Sequence, residues 1–142
     1  QNALEIAESL VKLAPENAGY RRDLSVSYNK LGDLFRSLGE GSQARDYYQK
    51  DLEIAESLVK LAPENADYRR DLAVSHDQLF QFFAEQEEIQ TASQHLGQSL
   101  QILITLYQRG ALPNPEDQTF LNARIELAQK IGLIPPDEEA SS

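Results

Sequence analysis

Residues Leu4–Ser27 read LEIAESLVKLAPENAGYRRDLSVS and residues Leu52–Ser75 read LEIAESLVKLAPENADYRRDLAVS, agreeing at 22 of 24 positions and differing only at Gly19/Asp67 and Ser25/Ala73. The offset between them is 48 residues, and self-similarity at a fixed period of this order is the signature of a stacked repeat. Beyond Ser27 and Ser75 identity falls away, yet an apolar skeleton stays in register as Leu31/Leu79, Phe35/Phe83, Ala44/Ala92, Leu52/Leu100, Ile54/Ile102 and Leu58/Leu106. The positions a packed interior needs are the ones retained.

The spacing inside one repeat is helical. Tyr20, Leu24, Tyr28, Leu31, Phe35 and Leu38 recur at three and four residues, which lines them along one helix face. Ala44, Tyr48, Leu52, Ala55, Leu58, Val59 and Ala62 repeat the pattern after a break at Gly39-Glu40-Gly41, so each repeat is a helix pair. Pro15 and Pro63 lack the amide that would continue a helix, and Asn17 and Asn65 are suited to cap the next one. A last helix is signalled by Asn114 as cap, Pro115 at its first position, Glu116 and Asp117 against the positive end of its dipole, and Gly132 at its close. The sequence thus predicts an all-α solenoid of antiparallel helix pairs, with helices near 2–14, 18–38, 42–62, 66–86, 90–109 and 115–131. These form one domain over residues 1–134: a partial repeat at 1–14, repeats at 18–62 and 66–109, and a capping helix at 115–131. An acidic tail, 135–142, is predicted to be disordered.

Composition narrows the function classes. A chain of 142 residues with 41% hydrophobic and 25% charged residues can build a core. It holds no apolar run long enough to span a membrane and no secretory leader, and its lack of cysteine gives a mild lean to the cytoplasm. The absence of cysteine removes disulfides, thiolate metal sites and cysteine nucleophiles. A net charge of −10 repels phosphate backbones, which speaks against nucleic acid as a partner. The absence of methionine is what a trimmed or processed chain would show.

The segment Tyr28–Leu52 resembles the tetratricopeptide repeat: Tyr28, Leu31, Gly32 and Phe35 occupy the signature places on the first helix, Gly39 the turn, and Ala44 and Tyr48 the second helix. In the second copy His76, Leu79, Phe80, Phe83, Glu87, Ala92 and Leu96 stand at those places, Phe80 replacing a glycine that allows close helix approach. With fourteen residues more than the usual 34, the chain is similar to the long-helix variety found in arrays in bacterial proteins. The resemblance implies a right-handed superhelix whose concave groove, lined by the first helix of each pair, binds a peptide or helix of another protein.

That groove would be lined by Arg22, Val26, Asn29, Asp33 and Arg36 in one repeat and by Arg70, Val74, Asp77, Gln81 and Glu85 in the next. Asn29 and Asp33 stand where the chaperone-binding relatives carry lysine and asparagine, so their carboxylate clamp is not reproduced. With Arg22, Arg36 and Arg70 set among acids, an acidic or amphipathic segment is a conceivable ligand. His76 and His95 have no third ligand at metal-site spacing and read as packing or surface residues. Gly39-Glu40-Gly41 follows a helix and lacks the Lys-Ser/Thr of a phosphate loop, and Glu85, Glu87 and Glu88 read as a solvated rim. No catalytic residue, metal or cofactor is assigned. Glu53, Ala55 and Glu56 become Gln101, Leu103 and Ile104 one repeat later, which implies that the last helix covers that side.

Two functions follow as expectations. One is a non-enzymatic protein-interaction module using the groove. The other is a scaffold segment of a longer array that spaces or oligomerises an attached domain. Residues 1–14 match a second helix without its first, leaving a flank that includes Leu4, Leu10 and Val11 open, so a homo-oligomer through this helix is expected.

Overall fold

The computed structural model describes residues 2–135, and the expected tail lies, from 136 onward, outside the described residues. The described residues form six helices: α1 (Ala3–Leu13), α2 (Ala18–Ser37), α3 (Gly41–Leu61), α4 (Ala66–Glu85), α5 (Ile89–Gln108) and α6 (Pro115–Lys130). No strand occurs among the described residues. Each helix packs chiefly on its neighbours in sequence, the arrangement of a helical repeat.

Asparagine starts four of the helices. Asn17 and Asn65 accept the amides of Tyr20 and Tyr68, each at 3.0 Å, Asn114 accepts that of Glu116 at 2.9 Å, and Asn2 accepts that of Glu5 at 2.8 Å. The turn after α2 uses Gly39 at φ 76°, whereas the turn after α4 puts Glu87 into the same left-handed region at φ 61°. A side chain is disfavoured there, so the second copy has kept the turn without its best residue.

Contacts across α2 and α3 run in opposite senses, Arg21 reaching Ser57 while Tyr48 reaches Asp33, so the pair is antiparallel. His76 against His95 and Ser99 against Ala73 show the same for α4 and α5. Helices α2, α4 and α6 lie parallel to one another along one face, linked by Arg22–Asp71, Arg36–Glu85, Arg70–Asp117 and Arg124–Asp77. One core cluster gathers Ala44, Tyr48, Leu52, Leu79, Phe82, Phe83 and Ala92. A second joins Leu96, Leu100, Leu103 and Leu106 of α5 to Leu121 and Ala128 of α6, with Ile104 packed against it, so the last helix does cover that side of α5.

The change from Gly32 to Phe80 has a compensating change opposite. A Cβ on Gly32 would come within 2.6 Å of the Tyr48 ring, so α3 lays a tyrosine directly on the bare backbone of α2. One repeat later Tyr48 becomes Leu96, fully buried, and Phe80 at the glycine's place packs, partly buried, against the cluster that holds Leu96. Bulk has moved between partners and the interface remains filled. Gly32→Ala should therefore cost about 1–3 kcal/mol of stability. In a Tyr48→Leu background the penalty should shrink, and a chemical-denaturation double-mutant cycle measures the coupling.

Candidate functional site

The face built by α2 and α4 carries the groove residues expected from sequence, and all of the charged and polar ones are engaged within the chain. Arg22 meets Asp71 at 2.7 Å and Arg36 pairs with Glu85. Arg70 makes a two-pronged contact with Asp117 at 2.8 Å on both oxygens, and Asp77 receives Arg124 at 2.7 and 3.0 Å as well as the Gln81 amide at 2.7 Å. Asn29 donates to Asp51 at 3.1 Å, and Tyr48 donates to Asp33 at 2.5 Å. Each arginine pKa is raised, first by its hydrogen-bonded acid, while Arg36 in turn holds Glu85 below the usual carboxylate range. The arginines that suggested an acidic ligand are thus already answered by acids one repeat further on. Sequence reasoning missed Asp71, Asp117 and Arg124 because an ion pair between parallel helices leaves no local spacing to read.

Behind this row, between α2 and α4 and floored by α3, lies a cleft of about 370 Å³. Val26 and Val74 stand at its walls, 48% and 39% exposed, with Ala55 and Leu58 buried beneath them. Asp51 reaches it from α3 although only 4% exposed. Its carboxylate accepts the hydroxyls of Ser25 and Ser75, the latter at 3.0 Å, and the amide of Asn29. Burial pushes its pKa up, the three donors pull it back, and nearby Asp71 adds a further upward push. The sequence did hold a signal for this residue: Ala44, Tyr48, Asp51, Ala55 and Leu58 recur at four, three, four and three residues, which sets an acid in the core stripe.

His76 and His95 do meet. Their Nδ1 atoms are 3.0 Å apart, and His95 stacks on Phe83 with ring centroids at 5.7 Å. The trio reproduces, one repeat on, Tyr28, Tyr47 and Phe35, where Tyr47 stacks on Phe35 at 5.5 Å. Tyr28 donates to Glu8 at 2.9 Å, tying α1 to α2, and burial followed by Glu8 raises its pKa to about 12. No cluster of three or more histidines, aspartates or glutamates that could hold a metal occurs among the described residues. No helix there is long and apolar enough to cross a membrane.

The described residues thus form an all-helical repeat with a cleft between α2 and α4 whose floor holds Asp51 beside Ala55 and Leu58. The chain belongs to the family described as "Protein of unknown function (DUF2753)", which matches residues 39–130, from the turn before α3 to the end of α6. No curated protein and no solved structure matches the chain.

The histidine pair makes stability pH-dependent with a definite sign. Desolvation, then His95, lowers the His76 pKa to about 4, and burial lowers that of His95. Two such rings share one Nδ1 proton, one donating while the other accepts. The folded protein therefore binds fewer protons than the unfolded chain, and the stabilisation present above the ordinary value near 6.5 is lost as pH falls toward 4. Replacing the pair by the tyrosines of the first repeat, His76→Tyr with His95→Tyr, should reduce the stability lost between neutral and acid pH by about 1–3 kcal/mol. Denaturant titrations of both proteins at the two pH values measure the difference.

Proposed function

We propose that the chain is a non-enzymatic protein-interaction module of the tetratricopeptide kind, which binds a peptide or helix of a partner along the concave face formed by α2, α4 and α6. The observation that carries this reading is the cleft: it opens on the face where that architecture presents its ligand surface, with Val26 and Val74 exposed at its mouth. The ion pairs between α2, α4 and α6 support it as well, because a ligand surface built on a rigid stack keeps its shape without the ligand. A random peptide library displayed on phage and selected on the chain should yield binders at this face. Val26→Glu with Val74→Glu should weaken them by about tenfold or more with helicity unchanged by circular dichroism. Binding that survives both substitutions would place the ligand elsewhere.

A second reading, self-association as part of a scaffold, has its own support. Helix α1 carries the sequence of residues 52–61 of α3, yet it has no buried residue, whereas Leu52, Ala55 and Leu58 of α3 are buried between α2 and α4. Leu4, Leu10 and Val11 are half-buried and Ile6 is exposed, so identical side chains lack one of the two helices that cover them in α3. A symmetric dimer through α1 is then expected at high protein concentration. Sedimentation velocity should show it, and Leu4→Glu with Ile6→Glu should return the monomer.

A further inference from the structure

The two repeats treat a buried acid differently. Asp77 on α4 is 3% exposed, and Arg124 of α6 places a guanidinium across both its oxygens. Asp51 on α3 is 4% exposed, and its partners Ser25, Asn29 and Ser75 are all neutral. The arginines of the same face are held elsewhere, Arg22 by Asp71, Arg36 by Glu85 and Arg70 by Asp117, while Lys30 stands exposed at the rim. An ionised carboxylate out of water and without a counter-charge is costly, and neutral donors offset only part of that cost. Nor does packing of the repeat demand an acid there: one period on, Ser99 occupies the place and donates to the Ala73 carbonyl at 2.9 Å.

We propose that the cleft between α2 and α4 receives a basic side chain, lysine or arginine, of a partner polypeptide, with its cationic head against the Asp51 carboxylate. This rests on the reading of the face as a peptide-binding surface and adds the chemistry of the ligand. The incoming cation stands to Asp51 as Arg124 stands to Asp77. A carboxylate has about four acceptor sites. Ser25, Asn29 and Ser75 leave room for one further donor. Val26, Ala55, Leu58 and Val74 give the methylene stem of a basic side chain apolar walls, and a cleft of about 370 Å³ has room for it. Charge complementarity extends beyond the cleft, since the chain carries −10 overall and would draw in a basic segment.

Two measurements test this separately from the peptide-binding reading. In the first, the isotope-labelled full chain is titrated with butylammonium chloride, a free copy of the lysine side chain, and with sodium butyrate as the anionic control. The amides of Ser25, Asn29, Asp51 and Ser75 should shift saturably with the amine alone, and not in Asp51→Asn. Should Asp51→Asn fail to fold, Asp51→Ser supplies the residue that the second repeat carries at that place. No saturable shift, an equal response to butyrate, or a shift that persists in the variant overturns the proposal and leaves the peptide reading standing. In the second, the peptides selected on the face should share a lysine or arginine. Its replacement by norleucine should cost about tenfold in affinity for the native chain and far less for Asp51→Asn. Selected peptides without a basic residue, or a loss equal in both proteins, overturn the inference. Spermidine binding to the native chain in the absence of any selectable peptide would make a free amine the occupant, and overturns it too.

Discussion

No helix here can bury its apolar stripe alone, and each depends on the next element in the chain to cover it. Contacts run almost entirely between sequence neighbours, so the interior is a series of seams and not a single centre. The comparison of α1 with α3 isolates this dependence, because the same residues are present in both. With helices on two sides Leu58 is 1% exposed; with a helix on one side Leu10, its counterpart, is half-buried. Burial in this fold is a property of position in the stack before it is a property of the residue.

Much of this was legible in the sequence because repetition and helical spacing are both local signals. The six helices, the caps at Asn17, Asn65 and Asn114, and the glycine at the end of α6 follow from residues within one or two turns of each other. The site was legible only in outline. Arg22, Asn29, Arg70 and Asp77 do share one face, but what each does is decided by Asp71, Asp51, Asp117 and Arg124 on other helices. The ion pairs join residues about one period apart, and the sequence holds no rule for which of several acids a given arginine will take. Asp51 is the exception, since an acid inside a core stripe is visible without any structure.

The second repeat is a set of matched substitutions on the first. Tyr28 and Tyr47 become His76 and His95 and stay in contact, while the stacking of Phe35 on Tyr47 survives as Phe83 on His95. Asn29 becomes Asp77 as Asp51 becomes Ser99, so a buried acid passes from α3 in one pair to α4 in the next. That transfer changes which neighbour must supply the opposite charge: α6 for the second pair, and nothing among the described residues for the first.

The exchange of Gly32 and Tyr48 for Phe80 and Leu96 bears on how the chain finds its register while folding. Two segments that agree at 22 of 24 positions compete for the same neighbours, and a nascent α4 could dock where α2 belongs. The stretch that follows each copy discriminates. Tyr48 needs a bare backbone opposite it, which Gly32 offers and Phe80 refuses, while Leu96 leaves a void unless Phe80 fills it. Divergence in the turn-proximal half of each pair therefore works as an address, sorting near-identical segments into their proper places.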